Sequence, residues 1–297
     1  MLKTSPDKKK RLSVFLLFLT ALLWSTGGVF IKMIQLDPVS IAGLRSLFAT
    51  IVFLPFIGNP LRIRLNKLKF LCALGYAGNV IFLVIATKYT TSANAVLLQY
   101  TAPVYVILLS PKLLGEKARK RDIYTVLGIL AGMLIFAFDG LSNKNLMGNI
   151  LGMLAGMSFA AVLLLTKKIH MASPPISPFE PLFLGNLLTA LLCSPFYLKG
   201  YTAPAELWLL AAVGILQLGT PYLIYAYAAK YVSAVQTSLI TTLEPILNPI
   251  WVFLATGELP SLFTLTGGLI VIASLITNYL AMGIRQNRNR ENAPHAF

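Results

Sequence analysis

The sequence predicts an all-α integral membrane protein, with ten transmembrane helices arranged as two five-helix inverted repeats. Three observations predict it. Of 297 residues, 57% are apolar and only 12% charged, whereas soluble domains average about 45–50% and about 25%. The apolar residues fall into ten runs close to the ~20 residues that cross a bilayer. Finally, the second half of the chain repeats the punctuation of the first.

The runs are 13–33, 39–57, 70–87, 92–109, 123–138, 148–166, 179–198, 207–229, 233–255 and 262–282. The first follows the block Lys8-Lys9-Lys10-Arg11 and mimics a secretory signal. Its apolar stretch continues to Ile31 without a small-x-small cleavage site, so a retained helix is expected. The second carries Arg45 six residues inside its start, where the long stem lets the guanidinium snorkel outward. In the fifth run Gly128 and Gly132 share a face, as do Gly148, Gly152 and Gly156 in the sixth. Such small-residue rows let helices approach closely. Connections are short and leave no room for a soluble domain. The expected organisation is a basic tail (1–12), a first repeat (13–138), a linker (139–147), a second repeat (148–282) and a basic tail (283–297).

The basic residues orient the runs. With the N-terminus inside, twenty Lys and Arg fall on that side and four (Lys32, Lys88, Lys144 and Lys199) on the other. This bias places both termini in the cytoplasm of a cell bounded by the plasma (cytoplasmic) membrane. The net charge of +15 is thereby a topology signal. Its short separated blocks lack the aromatic interleaving of a nucleic-acid platform, so the expected partner is the lipid bilayer and not nucleic acid. Cys72 and Cys193 both lie in apolar runs and have no metal-spaced neighbours. No metal or other cofactor is expected.

The repeat rests on rare residues. An offset of 142 aligns Lys88-Tyr89 with Lys230-Tyr231, Pro103 with Pro245, and Gly115-Glu116 with Gly257-Glu258. An offset of 140 aligns Pro38 with Pro178 and Pro55-Phe56 with Pro195-Phe196. Each half holds five spans, an odd number, so the second half enters the membrane upside down. Inverted repeats put a binding site near the midplane, where helices are broken.

The duplicated five-span units, the opening LLWSTGGVFIK and the ninth span's LEPILNPIWVFLATGE resemble the drug/metabolite transporter superfamily, in its EamA-like branch. The resemblance covers all but the charged tails. It implies a ten-helix secondary transporter of a small organic solute, such as an amino acid or related metabolite. It also implies a cavity lined by the first four helices of each half.

The residues themselves supply candidates for such a site. Glu244 is the one charge between Ser233 and Phe253, and an ionisable group at mid-span tends to face a cavity or a partner. Thr237, Thr241, Glu244, Asn248 and Trp251 recur at helical spacing and share one face. Pro245 and Pro249 leave the carbonyls of Thr241 and Pro245 without donors, and Pro103 and Pro221 do the same for Gln99 and Gln217. Trp24, Asn79, Tyr100 and Asn186 are further polar or aromatic residues near mid-depth. The candidate substrate-binding set is Glu244, Thr241, Asn248, Gln99, Tyr100, Trp24, Asn79, Gln217 and Asn186. Tyr222 and Tyr225 read as packing or interface aromatics, and Glu116 and Glu258 as caps or loop anchors.

Glu244 is open to three roles: binding a substrate amine, carrying a proton, or bridging helices. The nucleotide-binding G-x-x-x-x-G-K-[ST] pattern is absent, which directs attention to gradient-driven transport. A non-transporting scaffold or channel-like protein is the rival reading. An intramembrane enzyme is a weaker one, because no H-E-x-x-H pattern and no second mid-span acid accompany Glu244. Substrate identity, direction and oligomeric state have no signature in the sequence.

Overall fold

The computed structural model describes residues 6–116, 119–137, 146–199, 203–256 and 262–291. Among these residues there is no strand; the chain is a bundle of helices. In order they are α1 (Pro6–Ser25), α2 (Gly27–Met33), α3 (Pro38–Ile57), α4 (Lys67–Tyr89), α5 (Ser92–Gln99), α6 (Ala102–Leu114) and α7 (Lys120–Ala137). There follow α8 (Leu146–His170), α9 (Phe179–Tyr197), α10 (Pro204–Ala212), a π-helical segment (Val213–Gly219), α11 (Thr220–Ala228), α12 (Ala234–Thr241), α13 (Leu243–Thr256) and α14 (Leu262–Glu291).

Eight of these rods, counting broken helices as one, are long and apolar enough to cross a membrane. They run Asp7–Met33, Pro38–Ile57, Lys67–Tyr89, Asn94–Leu114, Leu146–His170, Phe179–Tyr197, Pro204–Ala228 and Ala234–Ala255. The fifth and tenth runs of the sequence also form helices, α7 and α14. In α14 the apolar stretch is shorter, Leu265–Asn278, and α7 opens on Lys120-Arg121-Asp122. These two pack on each other. A Cβ on Gly128 would meet Ser274, and one on Gly132 would meet the Gly267 carbonyl, so the small-residue face of α7 is its contact with α14. The Gly148, Gly152 and Gly156 row packs in the same way against Thr90, Leu98 and the Gln99 carbonyl.

Four of the rods are interrupted, each for a local reason. The first breaks at Thr26, before Gly27-Gly28, two residues of poor helix propensity. The rod Asn94–Leu114 breaks at Tyr100–Thr101, just before Pro103, and the rod Ala234–Ala255 at Thr242, before Pro245. The two breaks stand at matching places in the aligned halves. Their N-caps match as well: Thr91 accepts from the Asn94 N–H and Ser233 from the Gln236 N–H. In the rod Pro204–Ala228 the Thr220 N–H and hydroxyl both reach the Ile215 carbonyl, five residues back, and this opens the π turn ahead of Pro221.

The halves pack through α4 on α8 and α9, α3 on α9 and the π segment, and α1 on α11 to α13. Contacts between connections sort into two ends. At the end that carries Pro6, Lys69 pairs with Glu180, and the Lys9 ammonium lies 5.8 Å from the Tyr231 ring centroid. There too Lys167 donates to the carbonyls of Ala229, Lys230 and Val232. Gly115 ends α6 in the left-handed conformation (φ 69°). Its neighbour Glu116 then accepts from the Ala234 N–H at 3.0 Å, anchoring the start of α12. Glu258 lies outside the described residues. At the opposite end Lys32 donates to the Thr90 carbonyl and Lys88 to that of Ile34, at 2.8 and 2.6 Å.

Candidate functional site

Mid-depth in the bundle lies a partly enclosed cavity of about 470 Å3, its mouth included. Its walls come from both halves: α1 and α2, α3, α4 and α5 on one side, and α8, the π segment, α11 and α13 on the other. No lining residue belongs to α7 or α14. From Glu244 and Asn79 the cavity runs toward Ile31, Leu83 and Thr87, near the end that carries Lys32 and Lys88. On the other side an aromatic floor closes it. Trp24 stacks at 4.7 Å on Tyr222 and at 5.6 Å edge-on to Phe159, and Tyr76 meets Tyr222 at 4.6 Å. Such pairs prefer these tilted and edge-on geometries.

Glu244 lies in the first turn of α13, two residues after the break at Thr242. It is 5% exposed and lines the cavity. The Tyr100 hydroxyl, at the corresponding break in the other half, donates to its carboxylate at 2.7 Å. The two broken helices thus meet through one charge-assisted hydrogen bond. Beside it runs a neutral chain. Gln99 donates to Asn79 at 2.8 Å, and Asn79 donates to the Tyr222 hydroxyl at 2.8 Å. The π segment aims Gln217 inward, where its amide donates to the Trp24 carbonyl at 3.1 Å.

The structure distributes the nine sequence candidates as follows. Glu244, Gln99, Trp24, Asn79 and Gln217 line the cavity. Tyr100 stands behind it, on Glu244. Asn248 faces Ser92 at 3.4 Å, and a Cβ on Gly28 would meet both. Thr241 bonds back to the Ser238 carbonyl within α12, and Asn186 accepts from Tyr76 at 3.0 Å. The supposed continuous face from Thr237 to Trp251 is divided by the break at Thr242. Trp251 instead donates to Ser25 at 2.7 Å.

One expectation needs correction. Arg45 does not snorkel outward: it is 2% exposed, lines the cavity and donates to Gln217 at 3.3 Å. A backbone approach fixes it there, because a Cβ on Gly214 of the π segment would overlap the Arg45 carbonyl. Tyr222 and Tyr225 are packing aromatics, as one of the two expected roles had it: both are buried and meet each other and Trp24. Sequence position gives a residue's depth along a span but not the face that a neighbouring π turn will draw inward.

Among the described residues no group of His, Cys, Asp and Glu is placed to hold a metal ion. Cys72 and Cys193 are buried free thiols, and His170 ends α8, its Nε2 2.8 Å from the Ala226 carbonyl. The cavity offers fixed hydrogen-bonding groups, one carboxylate and one guanidinium on a mostly apolar wall, the usual make-up of a small-molecule site.

The chain is similar to known transporters along most of its length. It is 28% identical over 265 residues to an uncharacterized transporter of Archaeoglobus fulgidus, covering 87% of this chain and 93% of that one. It is 25% identical over 199 residues to the Pseudopaline exporter CntI of Pseudomonas aeruginosa (64% and 67% of the two chains). Human Solute carrier family 35 member G1 is 25% identical over 303 residues (92% and 81%). A crystal structure with 18% sequence identity shares the fold, with a TM-score of 0.75 over 91% of this chain and 98% of the other. The profile of the EamA-like transporter family matches twice, over residues 11–138 and 146–280. A multi-pass bundle of apolar helices built around a mid-depth cavity, the chain belongs to the EamA-like transporter family.

Proposed function

We propose that this protein is a secondary active transporter. It moves a small organic metabolite, an amino acid or related compound, across the cytoplasmic membrane by alternating access. The observation that carries the reading is the cavity at Glu244: walled by both halves, reaching toward one end, and floored by aromatic rings toward the other. At the floored end Lys167 and Glu116 tie the connection before α12 in place. A cavity floored by aromatic rings on one side fits one state of an alternating-access cycle. Relatives named as an exporter and as a solute carrier fit the same class of work.

In this reading ten helices cross the membrane, as inverted repeats 13–138 and 148–282 with both termini cytoplasmic. Solute enters beside Glu244, Gln99, Asn79 and Gln217, while Trp24 packs against it. Glu244 either meets a donor group on the solute or carries the coupled proton. Tyr100, Asn248, Thr241 and Asn186 hold the broken helices and the floor in register.

Counterflow of labelled metabolites in proteoliposomes tests this. Wild type should show saturable exchange of at least one metabolite. Glu244→Gln should fold and reduce flux at least tenfold, because the amide keeps the shape but not the charge. Retained exchange with loss of pH-driven flux identifies a proton carrier; weakened binding identifies a solute contact. Wild-type flux in a folded Glu244→Gln protein would reduce Glu244 to a helix bridge. No exchange across a broad metabolite panel would favour the scaffold reading.

A further inference from the structure

We propose that Arg45 and Trp24 form an oxyanion subsite, which receives a carboxylate of the transported solute in the same cavity as Glu244. The proposal rests on the transport reading for its cavity, but on a separate observation for its chemistry. That observation is a set of buried polar atoms that line the cavity and have no partner. They are the Arg45 Nε, the Trp24 Nε1 and the Gln99 Oε1.

Arg45 is the sharpest case. Its guanidinium is buried, and it donates to a neutral amide oxygen, that of Gln217, at 3.3 Å. Among the described residues no carboxylate pairs directly with Arg45, and Glu244, in the same cavity, faces it only at longer range. A buried charge without a direct ion-pair partner is costly, and so is a buried N–H without an acceptor. The chain nevertheless fixes this residue in place by packing Gly214 on its backbone carbonyl. A cation held in a cavity with a free N–H marks a place where an anion arrives.

The remaining groups narrow the anion. Trp24 adds a neutral donor to that of Arg45, and a planar carboxylate can accept from both. A dianion such as a phosphate monoester would meet one cation and the Glu244 carboxylate in the same cavity. Lys32 and Lys88 cannot help, since both are engaged with backbone carbonyls and neither lines the cavity. Glu244 and the Gln99 oxygen are acceptors, and they suit a donor group on the rest of the same solute. The cavity therefore selects a monocarboxylate that also carries a hydrogen-bond donor.

The test uses purified full-length protein and the twenty proteinogenic amino acids, their amides, and their 2-hydroxy-acid analogues. Binding is read by thermal shift and by quenching of tryptophan fluorescence, for which Trp24 is the local reporter. At least one amino acid should bind saturably, and its amide should bind at least tenfold more weakly because it lacks the carboxylate. Arg45→Gln should erase that preference, and Arg45→Lys should keep the charge but lose most of the affinity, having no planar fork. Trp24→Phe should weaken acids a few-fold while leaving amides unchanged. Should Arg45→Gln fail to fold, the acid-to-amide ratio in wild type and in Trp24→Phe still decides. Amides that bind as tightly as acids would overturn the subsite, as would a panel without a single ligand. Proteoliposome flux separates the two claims. Carboxylate binding without flux contradicts transport and leaves the subsite standing, whereas flux of a solute without a carboxylate does the reverse.

Discussion

Tyr100 and Glu244 show how much of this protein turns on single side chains. Each sits at a helix break, in a different half, and one 2.7 Å hydrogen bond joins them. Replacing Tyr100 by Phe leaves the ring beside Phe159, 5.9 Å away, but strips a buried carboxylate of its donor. Hydrogen bonds to charged groups contribute about 1.5–3 kcal/mol. Tyr100→Phe should therefore lower the unfolding temperature measurably, and it should alter transport because Glu244 is then free to reorient. Unchanged stability and flux would mean that water or a neighbour replaces the hydroxyl at no cost. At this scale the sequence was partly legible. A lone charge in mid-span and its flanking prolines announced Glu244, and the tryptophan, asparagine and glutamines at mid-depth announced much of the wall. The depth of Arg45 suits snorkelling, and the close packing of Gly214 on its backbone, which faces α3 toward the π segment, has no signal in the sequence. Thr241 is a candidate for the helical face it shares with Glu244 and Asn186 for its depth, and both make bonds within the protein framework.

Helix breaks are the next level of organisation. Prolines aligned across the halves pointed to the breaks at Tyr100–Thr101 and Thr242, because a missing N–H leaves the same mark wherever it falls. The π segment was not legible. Pro221 warned that the Gln217 carbonyl would be unpaired, but a proline can be accommodated by a kink, a break or a wider turn. Thr220, whose hydroxyl reaches Ile215, accompanies the wider turn here. The break in the first rod depends on tight approach: a side chain at Gly28 would collide with Ser92 and Asn248. Overpacking of this kind costs about 1–3 kcal/mol. Gly28→Val should lower thermal stability by that order and constrict the cavity, while Gly268→Ala, in open space on α14, should not. Equal effects from the two substitutions would show that the α2–α5–α13 contact is loose. The α7–α14 pair makes a parallel case: Gly132→Leu should loosen α14 from α7, as seen by faster hydrogen exchange in α14.

The whole molecule was the most legible level, since hydropathy and charge need no knowledge of rotamers. Fold class, family and eight of the spans followed from patterns hundreds of residues long. The count of ten is less plain because the apolar part of α14 is short and α7 starts on charged residues. Orientation has its own test. A cysteine at Asn66, on a background lacking Cys72 and Cys193, should react with an impermeant reagent only after permeabilisation; reaction on intact cells would reverse the topology. The central claim is that one cavity serves both sides of the membrane. A cysteine replacing Leu83, which lines the cavity between mid-depth and its mouth, tests it most directly in the same cysteine-free background. Right-side-out and inside-out vesicles are treated with an impermeant thiol reagent, with and without a transported solute. Labelling from both sides, slowed by the solute, is the predicted result. Labelling from one side alone under every condition would contradict alternating access and describe a fixed pocket.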